Sequence, residues 1–171
     1  MRRLTASSVI VIAAFLGGCS APATTYAEVR SETLDALQTF SDFVPEPKEI
    51  LVTPEFEPYP CGEGQALQTG QGAFYTGQWA LFVQDDFDIP QFVREVPRLL
   101  GEDWRVEELG IPVDFAEVYL VRDSPRMSLK VEESTIDGRK AIDVLAISRC
   151  GGMSDDERSA TFPPPAPRPA L

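Results

Sequence analysis

The chain contains no histidine in its 171 residues. That removes the side chain whose charge ordinarily changes near neutral pH, and with it the Ser-His-Asp arrangement and most transition-metal sites. Carboxylate-only and Ser-Lys chemistry survive the exclusion. Positive charge is scarce too, with fifteen Lys and Arg against twenty-seven Asp and Glu, a formal charge of -12. Phosphate backbones and anionic lipid headgroups both demand clustered cations, so neither nucleic acid nor electrostatic membrane attachment is expected. Long hydrophobic runs are missing as well. The apolar stretch VIVIAAFL at 9–16 falls well short of the roughly 20 residues a helix needs to cross a bilayer. A phosphate cradle is also lacking: GEGQALQTGQG at 62–72 has no Gly-Lys-Ser/Thr ending and precedes a predicted strand instead of opening a helix. No cofactor is therefore expected.

What is present begins at the N-terminus. Arg2 and Arg3 form a positive start, Leu4 to Leu16 carries no charge, and Leu16-Gly17-Gly18-Cys19 follows. The first two features suit a secretory signal peptide. The third resembles the lipobox of bacterial lipoproteins, with a branched apolar residue, two small residues and then cysteine. The resemblance covers only the N-terminal segment. It implies that residues 1–18 are removed, that the Cys19 sulfur receives a diacylglycerol, and that membrane lipid becomes the first partner, at the extracytoplasmic face. Each buried CH₂ contributes about 0.8 kcal/mol, so two long acyl chains hold far more firmly than one. Residues 19–25 then read as a tether.

Setting Cys19 aside leaves Cys61 and Cys150. In an oxidising compartment these have one connectivity, Cys61 to Cys150. Closing a loop of that length contributes on the order of 4 to 5 kcal/mol by chain entropy. Neither cysteine sits in a Cys-x-x-Cys motif, which argues against redox catalysis, and two thiols without histidine are too few for zinc. A structural disulfide is the expectation.

Along the mature chain, Thr25-Tyr26-Ala27-Glu28 matches a capping box, and Val29, Ala36, Leu37, Phe40 and Val44 recur at helical spacing, predicting a helix over 26–42. Five prolines between 45 and 60 read as an extended connector, and 62–72 as a loop. Residues 74–84 predict a strand bulged at Gly77. Asp88 and Pro90 predict the start of a second helix, stopped by Gly101 and shortened or kinked by Pro97. Further strands are predicted at 104–109, 115–121, 127–132 and 141–148, with Asp123-Ser124-Pro125 as one turn and Asp137-Gly138 as another. The fold class is α+β: a mostly antiparallel sheet with helices packed on one face, closed by one disulfide, over residues 26–153. Residues 154–171, acidic and then proline-rich, read as a disordered tail. This layout, a helix before one cysteine and a terminal strand carrying another, resembles small uncharacterised lipoproteins of high-GC Gram-positive bacteria, a resemblance that brings no activity with it.

Candidate ligand-facing residues are the aromatics Tyr75, Trp79 and Trp104, which suit a groove for peptide or sugar, and the acidic pair Asp85 and Asp86. Competing with these are core roles for the aromatics and a solvated turn for the acids, with Asp88 capping the next helix. An EF-hand fails at the required positions, which hold Pro90 and Val96. Two function classes remain. One is a membrane-anchored binding or interaction module of the cell envelope, whose partner is an envelope protein, a cell-wall element or a small solute. The alternative is an envelope hydrolase working with carboxylates alone, drawing on Asp85–Asp88 and on Glu102, Asp103, Glu107 or Glu108.

Overall fold

The structure is a computed structural model that describes residues 24–61, 72–110, 112–154 and 156–157. Cys19, the signal segment 1–18 and residues 158–171 of the tail lie outside the described residues.

The first helix, α1 (Tyr26–Phe43), starts on the capping box. The Glu28 N–H donates to Thr25 Oγ1 at 3.2 Å, and the Thr25 N–H donates to Glu28 Oε2 at 2.7 Å, so two otherwise orphaned donors are satisfied reciprocally. Val29, Thr33, Ala36, Leu37 and Phe40 form its buried stripe. The helix stops at Val44, whose extended backbone is what a following proline imposes.

Residues 45–60 are more than a connector. They form β1 (Glu49–Val52) and β2 (Tyr59–Pro60), both antiparallel to β3 (Gly72–Phe82). Prolines do not prevent this, because both strands lie at the sheet edge, where a missing N–H costs no ladder bond. The predicted bulge in β3 is displaced as well. Register shifts between Phe74 and Thr76, where the Tyr75 N–H donates to Ser148 Oγ at 2.9 Å. Gly77 instead permits a close approach, since a Cβ there would lie 2.7 Å from Leu37 Cδ1.

Helix α2 (Ile89–Leu100) opens with Asp88 accepting from the Gln91 N–H at 2.8 Å and ends at Gly101, whose φ of 85° favours glycine. Pro97 lies in its last turn, and the helix is short, at 12 residues. Strands β4 (Trp104–Val106), β5 (Glu117–Asp123), β6 (Arg126–Ile136) and β7 (Arg139–Gly152) follow. Asp137 and Gly138 turn β6 into β7 with φ values of 52° and 77°, the two-residue hairpin their types favour.

The sheet has seven strands in the order β1-β3-β7-β6-β5-β4, with β2 also on β3, and every pairing is antiparallel. Helix α1 lies over β3 and β7, and α2 over β4, β5 and β6. Between helices and sheet sits one core, in which Leu37 and Phe40 meet Phe92, Val93 and Val96 above Trp79, Leu129 and Val144. The architecture is thus α+β with both helices on one sheet face. The Cys61–Cys150 disulfide closes it across a Cα separation of 6.2 Å.

At the disulfide end the chain converges. Thr25 bridges Gly152, and the Gly152 N–H donates to the Thr24 carbonyl at 2.8 Å. Gly151 and Gly72 permit this crowding. A Cβ on Gly151 would meet Thr25 O, Tyr26 Cα and Val29 Cγ2 at 2.7 Å, and one on Gly72 would meet Cys150 Sγ at 2.6 Å. Beyond it, the Ser154 N–H donates to Glu157 Oε2 at 2.8 Å and the Glu157 N–H to Ser154 Oγ at 3.2 Å, a reciprocal capping-box pair where the predicted tail begins.

Candidate functional site

Because α1 covers β3 and β7 while α2 covers β4 to β6, a groove of about 290 Å³ is left between them. One wall is α1, with Glu32, Asp35, Ala36 and Thr39; the other is Leu100, Trp104, Arg122 and Pro125. Trp104 and Arg122 stand directly opposite in the β4–β5 ladder, so both project toward the helices. The Arg122 guanidinium lies over the Trp104 ring, 5.0 Å from its centroid. Its Nε–H donates to the Pro125 carbonyl at 3.2 Å, and Nη2 approaches Met127 Sδ at 3.9 Å.

The charges of this groove are unevenly compensated. Glu32 is held by Nη1 and Nη2 of Arg149, at 2.5 and 3.0 Å. No ion pair among the described residues includes Arg122 or Asp35. Burial pushes the Arg122 guanidinium below its ordinary value, while Glu32 and Asp103 pull it back. A half-buried cation without a carboxylate partner and an exposed carboxylate without a cation therefore face one cavity with an apolar floor.

Among the described residues, the other sheet face carries no helix. Glu117, Glu132 and Asp143 stand side by side across β5, β6 and β7. Like charges so placed repel, and Lys130 offsets this, its Nζ lying 3.2 Å from Glu117 Oε2 and 2.6 Å from Glu132 Oε2. Glu132 Oε2 is buried and meets no donor at a hydrogen-bonding angle, so that ammonium is its counter-charge. Burial raises the Asp143 carboxyl above its ordinary value, and Glu132 raises it further, against the Gln78 amide that donates to it at 2.9 and 3.0 Å. A second cavity of about 430 Å³ lies at the β4–β5 edge, between Glu107–Gly110 and Tyr119.

The sequence-derived candidates divide. Tyr75 and Trp79 are core residues, 2% and 8% exposed, and line neither cavity. Tyr75 lies under α1, edge-on to Tyr26 at 6.4 Å, its hydroxyl donating to Glu55 Oε1 at 3.4 Å. Burial, and then the Glu55 charge, push its pKa up to about 12. Asp85 and Asp86 sit in the exposed turn after β3, away from both cavities, where the Asp85 carbonyl accepts from Lys140 Nζ at 2.9 Å. Trp104 alone of the three aromatics reaches a groove. Arg122 and Asp35 had no sequence signal, since only the β4–β5 register and the fold bring them to Trp104. Among the described residues, no three acidic or cysteine side chains converge as metal ligands, and no helix is long and apolar enough to cross a membrane. No protein family, curated protein or solved structure matches this chain.

Proposed function

We propose that this chain is a lipid-anchored extracytoplasmic binding module, held to the membrane through Cys19 and presenting the Trp104–Arg122 groove to a ligand or envelope partner. The observation that carries the binding half is the uncompensated pair of opposite charges on an apolar-floored groove. Arg122 is held by the Trp104 face and the Pro125 carbonyl but by no ion pair among the described residues, which leaves its half-buried charge for a ligand. The anchoring half rests on the run from Arg2 through Leu16-Gly17-Gly18-Cys19. Thr24, whose carbonyl is fixed to Gly152, lies five residue steps after Cys19, a reach of at most about 18 Å. The disulfide end of the sheet would then lie nearest the bilayer. Losing Arg2 and Arg3 with the signal takes the charge from -12 to -14, which keeps the domain off anionic lipid. The test is fractionation of cells expressing the protein and its Cys19→Ser form. The first is expected in the membrane pellet and the second in the soluble exported fraction, and retention of both in membranes would refute the anchor.

One observation favours the carboxylate-only hydrolase as a second reading: Asp143, its carboxyl raised, stands beside Glu132. It lies on an open sheet face and lines neither cavity, so a substrate would have to be held there without walls. Activity lost on Asp143→Asn but kept on Arg122→Gln would favour that reading over the groove.

A further inference from the structure

Resting on the binding reading above, we infer that the groove takes a small zwitterion of the amino-acid or short-peptide class, its carboxylate on Arg122 and its ammonium on Asp35. Asp35 on α1 and Arg122 on β5 both line the groove, together with Ala36, Leu100 and Trp104, and no ion pair among the described residues includes either. A purely anionic ligand would meet the Arg122 fork but would also face Asp35 and the nearby charges of Glu32 and Asp103, in a chain of net charge -12. A purely cationic ligand would satisfy Asp35 but leave the Arg122 guanidinium without a counter-charge. A ligand carrying both charges on a short apolar body satisfies each wall and covers the floor.

The remaining contacts of Arg122 fix its orientation without consuming it. Nε donates to Pro125, Nη2 reaches a thioether, which is a weak acceptor, and the Trp104 face holds the guanidinium plane. At least Nη1 is left to bond a carboxylate, with the charge-assisted strength that planar guanidinium gives. Glu32, occupied by Arg149 through two contacts, is set apart from this work. The volume of about 290 Å³ is at the lower end of ligand cavities and suits a ligand of one or two amino-acid residues.

The test is calorimetric titration of the full chain, in detergent and as the exported Cys19→Ser form, with the dipeptide alanyl-alanine. Its N-acetylated and C-amidated analogues and inorganic phosphate are the comparison probes. Saturable binding of the free dipeptide is expected, weakened at least tenfold by blocking either end. Arg122→Gln should erase the preference for the free carboxyl end only, and Asp35→Asn the preference for the free amino end only. That pattern cannot come from misfolding, and circular dichroism checks each variant. No saturation by 10 mM dipeptide, equal binding of the blocked analogues, or tighter binding of phosphate would each overturn the assignment. Failure here with intact membrane retention overturns the ligand class and leaves the anchor standing; binding by a protein that is not membrane-retained does the reverse.

Discussion

Replacing Gly151 by alanine tests the convergence of chain segments at the disulfide end. The added methyl would lie 2.7 Å from Thr25 O, Tyr26 Cα and Val29 Cγ2, and the first two are backbone atoms that cannot swing aside. Carbon atoms rest at about 3.5 to 4.0 Å, so the start of α1 must retreat by about 1 Å. Such overpacking costs about 1 to 3 kcal/mol. The retreat also stretches the 2.8 Å bond from the Gly152 N–H to the Thr24 carbonyl, whose net contribution is about 0.5 to 1.5 kcal/mol. A total loss of about 2 to 4 kcal/mol should lower the melting temperature on the order of 10 °C. Gly152 is the internal control, because its nearest neighbour is Thr24 O at an ordinary 3.6 Å. Gly152→Ala should therefore change stability by no more than about 0.5 kcal/mol. Thermal unfolding of the two variants, followed by circular dichroism with the disulfide intact, decides the matter. If both melted within about 3 °C of each other, the packing argument would be wrong.

Removing the bridge with Cys61→Ala and Cys150→Ala should lower urea stability on the order of 4 kcal/mol, since the bridge spans 89 positions of chain; an unchanged midpoint would refute its structural role. Asp143 supplies a pH test. A carboxyl raised in the folded state binds its proton more tightly there, so it favours folding below the ordinary aspartate range and loses that contribution as pH rises through the folded value. Asp143→Asn stays neutral throughout, so wild type should lose stability relative to this variant between about pH 3 and pH 7. Urea midpoints across that range moving the other way would show that Gln78, not burial, dominates the site.

Local signals in the sequence were legible where a few adjacent residues decide the outcome. Thr25 with Glu28, Asp88 with Pro90, and Asp137 with Gly138 each satisfy backbone donors or φ requirements on their own, and each marks an element boundary in the structure. Cysteine pairing was legible because only one connectivity remained. The edge strands β1 and β2 were not, because their hydrogen bonds come from β3 and proline-rich composition argued for a connector. Gly77 looked like a bulge, yet its role is set by Leu37, forty residues away in the chain. The groove was least visible. Trp104 carried an aromatic signal, but Arg122 becomes its neighbour only through strand register, and Asp35 only through the placement of α1.

The position of β7 governs the order in which this molecule can assemble. It follows the other six described strands along the chain and yet stands in the middle of the sheet, with β3 on one side and β6 on the other. Before it is available, β1, β2 and β3 form one fragment and β4, β5 and β6 another, and no ladder joins them. Cys150 lies on this same strand, so the bridge to Cys61 also waits for it. Whether the chain leaves a ribosome or a translocation pore, its sheet and its covalent closure are completed together, once β7 is in place. A stop between β6 and β7 would leave two unjoined half-sheets with exposed strand edges, and Cys61 without its partner.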